Sequence, residues 1–407
     1  MCQAKVTLFT ALTRQKLRIL FLHEVGYLEK PVFEMHEFPE YIAEMGHDIG
    51  FLDFPERKFA KTSASFGQVV FGRVRNSSTL KLYSQVTVLP GILGRLFAVV
   101  AFPFFFHRVL ADFEPDVVVS FAVPTSGWQA AIICKLRNKP LLFRALDVSH
   151  KIRRSVFAPL IKLAEKIVYS NATWVSCNNP AMLRYCVKHG AKPDRSSVEL
   201  PPLNLSHFLQ EQTDEGLPDR LGVKAGSRVV LYMGSFFYFS GLDDVLRQLA
   251  STKSEINLVL IGGGEQEAQL RALTKELLLD EQVKFTGFID FAQLPSYLAQ
   301  ADVAINPMVP SLVANKALPN KVLQYMASGL PVVTTKLEGL SSLFPDQEGI
   351  RYVSQSSDVI SAAIALLHSS NLKEIGESNR AAVANRFDSK RTVKIFEERI
   401  VTLRLKV

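Results

Sequence analysis

VVLYMG (229–234), INLVLIGGG (256–264), VKFTG (283–287), VAINP (303–307) and LPVVTT (330–335) are five apolar runs in one stretch of chain. Each is too short for a stable helix and shows little alternation, which suits strands buried on both faces. The first three end in glycine and the fourth in proline, residues that stop a strand and turn the chain. Helix-period segments separate them, notably Glu265–Leu279, Leu294–Gln300 and Lys321–Ser328. Strand and helix in alternation predict a parallel sheet with helices on both faces.

The same rhythm continues outward. Ile350–Val353 adds a strand on the C-terminal side. Upstream, Leu17–Leu22, Asp48–Asp53, Asp116–Phe121, Pro140–Arg144 and Thr173–Ser176 read as strands. Val32–Met45, Thr125–Leu136, Val156–Tyr169 and Pro180–His189 read as helices, the first closing at Gly46. The rhythm breaks at residues 201–220, PPLNLSHFLQEQTDEGLPDR, rich in proline and polar residues. Two doubly wound domains follow from this: residues 1–208 and 209–385, with 386–407 a helix expected to pack back on the N-terminal domain. Open α/β sheets bind ligands beyond the carboxyl ends of their strands. Two in tandem are therefore expected to share a cleft.

The 407 residues carry 47 basic and 39 acidic side chains, a net charge of +8. The excess lies in residues 1–210, with 26 basic and 16 acidic residues, against 21 and 23 in the remainder. A positive N-terminal half points to an anionic surface or partner on that side. The charge is interleaved with apolar helix faces, which argues against nucleic acid. Cys2, Cys134, Cys177 and Cys186 form no CxxC pair and no zinc spacing, and they suit a reducing cytosol. Lys5, Arg14, Lys16 and Arg18 interrupt any secretory signal core. The run LFAVVAFPFFF at Leu96–Phe106 is eleven residues, about half of a membrane span, and contains Pro103. It reads either as a core helix or as a segment dipping into a bilayer interface. The basic, amphipathic segment Lys151–Lys166, with Arg153 and Arg154, is a second candidate for anionic lipid.

The loops after the strands carry the chemistry. GxGxxG, GxxxxGK[ST] and GxSxG are all absent, which excludes classical dinucleotide, P-loop and hydrolase sites. In LPNKVLQYMASGLP (318–331), Asn320 is placed to cap a short helix that Gly329 ends. That helix N-terminus, with Lys316 and Lys321 beside it, is an anion site. Gln324 lies one turn in and offers an amide to hydroxyls. Gly263 and Gly264 form a second phosphate-compatible turn. Gly234, Ser235 and Ser240 bracket the aromatic loop Phe236–Phe239, whose rings either stack on a base or pack inward. Phe288 follows the strand ending at Gly287. In the N-terminal half, His23, Asp147 and His150 follow strands and are candidate catalytic groups facing the cleft.

VVLYMGSFFYFSGLDDVL (229–246), INLVLIGGGEQEAQL (256–270), VKFTGFIDFAQLPSYLAQADVAINP (283–307) and LPNKVLQYMASGLPVVTT (318–335) together resemble the retaining glycosyltransferases of the GT-B fold, family 4 in particular. LRILFLH (17–23), MGHDIGFLDF (45–54), EPDVVVSF (114–121), TWVSCNNPAMLRYCVKHGA (173–191) and SSVELPPLNLSHF (196–208) match more loosely. The resemblance implies two Rossmann-like domains facing an interdomain cleft. A nucleotide-sugar donor, UDP- or GDP-linked, would sit on the C-terminal domain and a lipid-linked or cell-surface glycan acceptor on the N-terminal one. It implies a retaining hexosyltransferase that needs no metal or other cofactor. It further implies a cytoplasmic enzyme, peripheral on the inner face of the cell membrane. The chain departs from the family at four positions: Ser235 and Ser240 replace Arg and Lys, and Lys316 and Gln324 replace the two acids of E-x7-E. The glycine-rich loop after the first strand is also absent around Glu24–Pro31, and Leu146 stands near the family's usual His. These changes leave open a second reading, an inactive GT-B subunit that binds glycan or stabilises an active partner.

Overall fold

The computed structural model describes residues 16–30, 32–54, 66–85, 91–152, 155–209, 214–223, 226–252, 254–345 and 347–405. Cys2, Lys5, Arg14, Arg153 and Arg154, named above, lie outside the described residues. The chain divides into two compact units, Met1–Pro202 with Lys390–Val407, and Leu203–Ser389.

Among the described residues the first unit has eight strands: β1 (Arg18–Leu22), β2 (Asp48–Asp53), β3 (Phe66–Phe71), β4 (Thr79–Ser84), β5 (Val117–Ser120), β6 (Leu141–Ala145), β7 (Trp174–Cys177) and β8 (Ser196–Val198). Their spatial order is β3-β4-β2-β1-β5-β6-β7-β8. Every pair is parallel except β3 with β4. β1 is central, with Phe21 level with Phe51 on one side and Val119 on the other. Helix α1 (Glu34–Glu44) packs Met35, Phe38 and Ile42 onto this sheet beside Val393, Phe396 and Ile400 of the last helix, Ser389–Arg404. That helix closes the core of the unit that contains the chain's first strands. β3 and β4 were not expected from sequence. β3 is an edge strand with Val69 and Phe71 exposed, so it lacks the buried apolar signature of the others.

The apolar run at Leu96–Phe106 belongs to helix α2 (Gly91–Phe113), 23 residues with Pro103 inside it. By length and composition Leu93–Phe113 is sufficient to cross a membrane. One edge is core, with Ala98, Phe102, Phe106 and Val109 buried; Leu93, Leu96, Phe97, Val100 and Phe104 are exposed.

The second unit contains β9 (Val229–Met233), β10 (Asn257–Ile261), β11 (Val283–Gly287), β12 (Val303–Asn306), β13 (Val332–Thr335) and β14 (Ile350–Val353) among the described residues. Their order is β11-β10-β9-β12-β13-β14, all parallel. The order reverses between β9 and β12, so the loop after β9 borders the topological switch point. Each unit is a doubly wound parallel sheet of the Rossmann kind.

Candidate functional site

In the second unit the turns after β9 and β10 interlock through their backbones. Gly234 N–H donates to the Ile261 carbonyl at 2.9 Å, Gly262 N–H to Gly287 at 2.9 Å, and Phe236 N–H to Gly263 at 2.9 Å. Gly262 and Gly264 hold φ of +121° and +156°, a region side chains disfavour. A Cβ on Gly262 would overlap the Gly234 carbonyl oxygen. Gly262→Ala is therefore expected to destabilise the unit by roughly 1–3 kcal/mol from backbone conformation alone. The overlap with Gly234 adds to that, and a lowered urea midpoint would show it. The exposed ring of Phe288 lies against Gly263, whose missing Cβ would be 3.0 Å from it. Phe236 is fully buried while Tyr238 is exposed, so the aromatic loop is partly core and partly surface.

Helix α3 (Asn320–Ala327) faces this cradle. Pro319, not Asn320, occupies its N-cap, and no side chain caps it. The expected Asn320 cap is thus corrected: Pro319 sits in the extended region, and Asn320 is already the first helical residue. Among the described residues its opening N–H groups have no side-chain cap, as an anion site requires. Lys321 reaches back to β9. Its Nζ donates to Tyr232 Oη at 3.0 Å, sits 4.2 Å above the Tyr232 ring, and would be 2.8 Å from a Cβ on Gly234. Burial pushes its ammonium down to about 7. Tyr325, on the same helix, accepts the Met233 N–H on its hydroxyl at 2.6 Å. Tyr232 and Tyr325 fix the helix against the glycine turns, and sequence reasoning missed both. Gln324 is half-buried one turn further in. Lys316 is ion-paired with Glu338, so part of its charge is already compensated. Ser235 is exposed; Ser240 is buried, with its hydroxyl unpartnered among the described residues.

The carboxyl ends of the first unit's strands hold a second set. His23 follows β1, stacked on Phe121 at 5.5 Å and edge-on to Phe33 at 6.0 Å. Burial, then the neighbouring His36 and Lys30, push it down to about 3, so the ring is neutral. Its Nδ1 is buried without a partner among the described residues. Asp147 follows β6, two strands away, or roughly 10 Å at the usual strand spacing. Its side chain reaches solvent, yet the protein packed around the carboxyl, then the charge of Glu34, raises it to about 6. His150 does not join them. It is buried, with Nδ1 2.8 Å from Glu165, whose carboxylate also takes the Tyr185 hydroxyl at 2.9 Å. The expected cleft-facing His150 is thus part of an internal network. Glu24 was also missed. Its carboxylate accepts the N–H groups of Thr125 and Ser126, both at 2.8 Å, at the start of helix Gly127–Leu136. It fills the anion position there.

Comparison with known proteins fits this division. Residues 214–385 match the family model for glycosyl transferases group 1. That match lies within the second unit, Leu203–Ser389. The putative teichuronic acid biosynthesis glycosyltransferase TuaC of Bacillus subtilis is 24% identical over 296 residues, 72% of each chain. The N-acetyl-alpha-D-glucosaminyl L-malate synthase of Bacillus anthracis is 24% identical over 196 residues; the match spans 47% of this chain and 49% of that protein. Among solved structures, sucrose-phosphate synthase from Thermosynechococcus elongatus superposes with a TM-score of 0.77 at 19% identity, covering 96% of this chain and 99% of that one. Anabaena HepE in complex with UDP-glucose gives 0.73 at 18% identity, covering 95% and 100%. With the two parallel sheets, these likenesses establish the GT-B fold.

Proposed function

We propose that the protein is a retaining glycosyltransferase that moves a hexose from a nucleotide diphosphate sugar to a lipid-linked or cell-surface glycan. The observation that carries this reading is the cradle of Gly234, Gly262–Gly264 and Lys321 beside an uncapped helix N-terminus, all inside the group 1 match. Donors fixed before the reaction stabilise the departing diphosphate, which is the largest service such a site offers. Lys321 and the helix N–H groups supply that service here, so the proposed chemistry calls for no metal. Phe288 and Tyr238 are exposed rings available to a base. HepE binds UDP-glucose, and TuaC is named for the synthesis of a polysaccharide; both support the donor and acceptor classes.

In the first unit Asp147, whose carboxyl is pushed up to about 6, is suited to proton transfer. His23, neutral, is suited to hydrogen-bonding the acceptor. The same unit is proposed to rest on the inner face of the membrane. α2 exposes Leu96, Val100 and Phe104, and helix Ala158–Asn171 exposes Leu160 and Leu163 near Lys162 and Lys166. Because the opposite edge of α2 is core, the helix is suited to lie on a bilayer rather than cross it.

Thermal unfolding with UDP, GDP, ADP and CMP tests the reading. A ligand at 100 times its dissociation constant stabilises the folded state by about 2.7 kcal/mol. One diphosphate is expected to raise the midpoint. No shift with any nucleotide favours an inactive GT-B subunit, a reading supported by Lys316, paired with Glu338 where the family resemblance places an acid.

A further inference from the structure

The amino ends of β6, β7 and β8 meet at a recess of about 450 Å³. This is the opposite edge of the sheet from His23 and Asp147. Lys139 lies just before β6, Asn171 and Thr173 before β7, and Lys192 and Arg195 before β8; Lys135 comes from the end of helix Gly127–Leu136. Among the described residues the recess is therefore lined by four cations and no carboxylate.

The partners of these cations are mostly neutral. Lys135 Nζ donates to Asn171 Oδ1 at 2.9 Å, and Lys139 Nζ to the Pro115 carbonyl at 3.0 Å. Arg195 reaches Asp194 only at 3.9 Å, with both side chains more than half exposed. A recess of about 330 Å³ in the second unit offers a contrast. It is also lined by four cations, but Asp280 is in its wall, Arg271 is paired with Glu267 at 2.9 Å and Arg220 with Asp214. There the two arginines are compensated within the protein. At the β6–β8 edge, among the described residues, only Arg195 has a carboxylate within ion-pair distance, and four like charges facing one concavity focus a field that an anion relieves. The volume lies in the range of small-ligand sites. The Thr173 hydroxyl accepts the Leu141 N–H at 3.1 Å and keeps its own proton to donate.

We propose that this recess binds a phosphate-bearing ligand, at a site separate from the glycine cradle of the second unit. The phosphate arrives either on a lipid headgroup or on a soluble phosphorylated sugar; the chemistry that holds it is the same.

The test compares wild type, Lys192→Gln with Arg195→Gln, and Lys275→Gln with Lys284→Gln. Lys192, Arg195 and Lys275 are exposed and Lys284 is half-buried on the edge strand β11, and the second pair removes the same charge from the second recess. Pyrophosphate is titrated into each by calorimetry at low salt. Any binding at the glycine cradle is common to all three proteins and cancels in the comparison. The Lys192 and Arg195 variant is expected to lose at least about tenfold in affinity, with an unchanged thermal midpoint, while the control stays within about twofold. The wild-type affinity is expected to fall as salt is raised, as for any exposed charge site. Equal affinity in all three proteins, or an equal loss in the control, overturns the proposal. Co-sedimentation with vesicles of equal parts phosphatidylglycerol and phosphatidylcholine then assigns the source. Vesicle binding that falls with pyrophosphate binding makes the ligand a headgroup; vesicle binding that survives makes it a soluble phosphate.

Discussion

Glu34→Ala is expected to lower the stability of the first unit by about 3–5 kcal/mol, because it strands a buried guanidinium. Arg144 is fully inaccessible, and Glu34 nearly so. Arg144 Nε and Nη2 both donate to Glu34 Oε2, at 2.9 and 2.7 Å, and Nη1 donates to Ser176 Oγ at 2.9 Å and the Glu199 carbonyl at 2.6 Å. The rings of Phe38 and Phe396 lie 5.3 and 5.7 Å from the guanidinium carbon. One residue thus ties α1, β6, β7 and the last helix together.

The two partners are not equivalent. Burial raises the Glu34 carboxyl above its usual range, against the pull of Arg144, so a Glu34 left alone escapes by taking up a proton. A guanidinium has no such route. Arg144→Met is therefore expected to cost less than Glu34→Ala, and the double variant less than the sum of both. Urea midpoints of the four proteins check this. A Glu34→Ala cost under about 1 kcal/mol, or a larger cost for Arg144→Met, would sink the argument. The pair also bears on the candidate site, since Glu34 is one of the two causes of the raised Asp147 carboxyl. Glu34→Gln is expected to let Asp147 titrate lower.

The parts of the fold legible in the sequence were those with a local signature. Parallel strands buried on both faces are short apolar runs, so β9 and β12 fall at the residues read from the sequence, with Gly234 and Pro307 marking their ends. β3 escaped because it is an edge strand with an exposed face. Of the candidate site, Gly263, Gly264 and Lys321 were visible because phosphate cradles need glycine and a cation near strand ends. What pairs with them was not visible. Glu338 lies 22 residues from Lys316, Glu165 lies 15 from His150, and Tyr232 lies 89 from Lys321. Such partners are chosen by the folded sheet, so a His after a strand reads the same whether it faces a substrate or a buried carboxylate.

Lys321→Ala is expected to weaken nucleotide diphosphate binding by more than about tenfold, or 1.4 kcal/mol, and to abolish its pH dependence. Burial holds the Lys321 ammonium down at about 7 in the free protein, so above neutral pH the amine is largely unprotonated. A diphosphate arriving over Gly234 favours the charged form, and binding must then draw in a proton. Wild-type affinity should fall as pH rises from 7.5 to 9, by up to about tenfold per unit, the limit for one linked proton. Calorimetry in buffers of different ionisation enthalpy should show close to one proton taken up at pH 8.5. The alanine variant should show none. Stability of the free protein runs the other way. The native state binds fewer protons than the unfolded chain between about 7 and the ordinary lysine range near 10.5, so Lys321 makes stability rise with pH across that window. Below about 7 the full penalty of burying the ammonium is present. Lys321→Met should therefore stabilise the free protein more at pH 6 than at pH 9 while weakening its nucleotide binding. A variant that binds nucleotide as wild type does, with the same proton uptake, would remove Lys321 from the diphosphate site and leave the uncapped helix N-terminus to carry it alone.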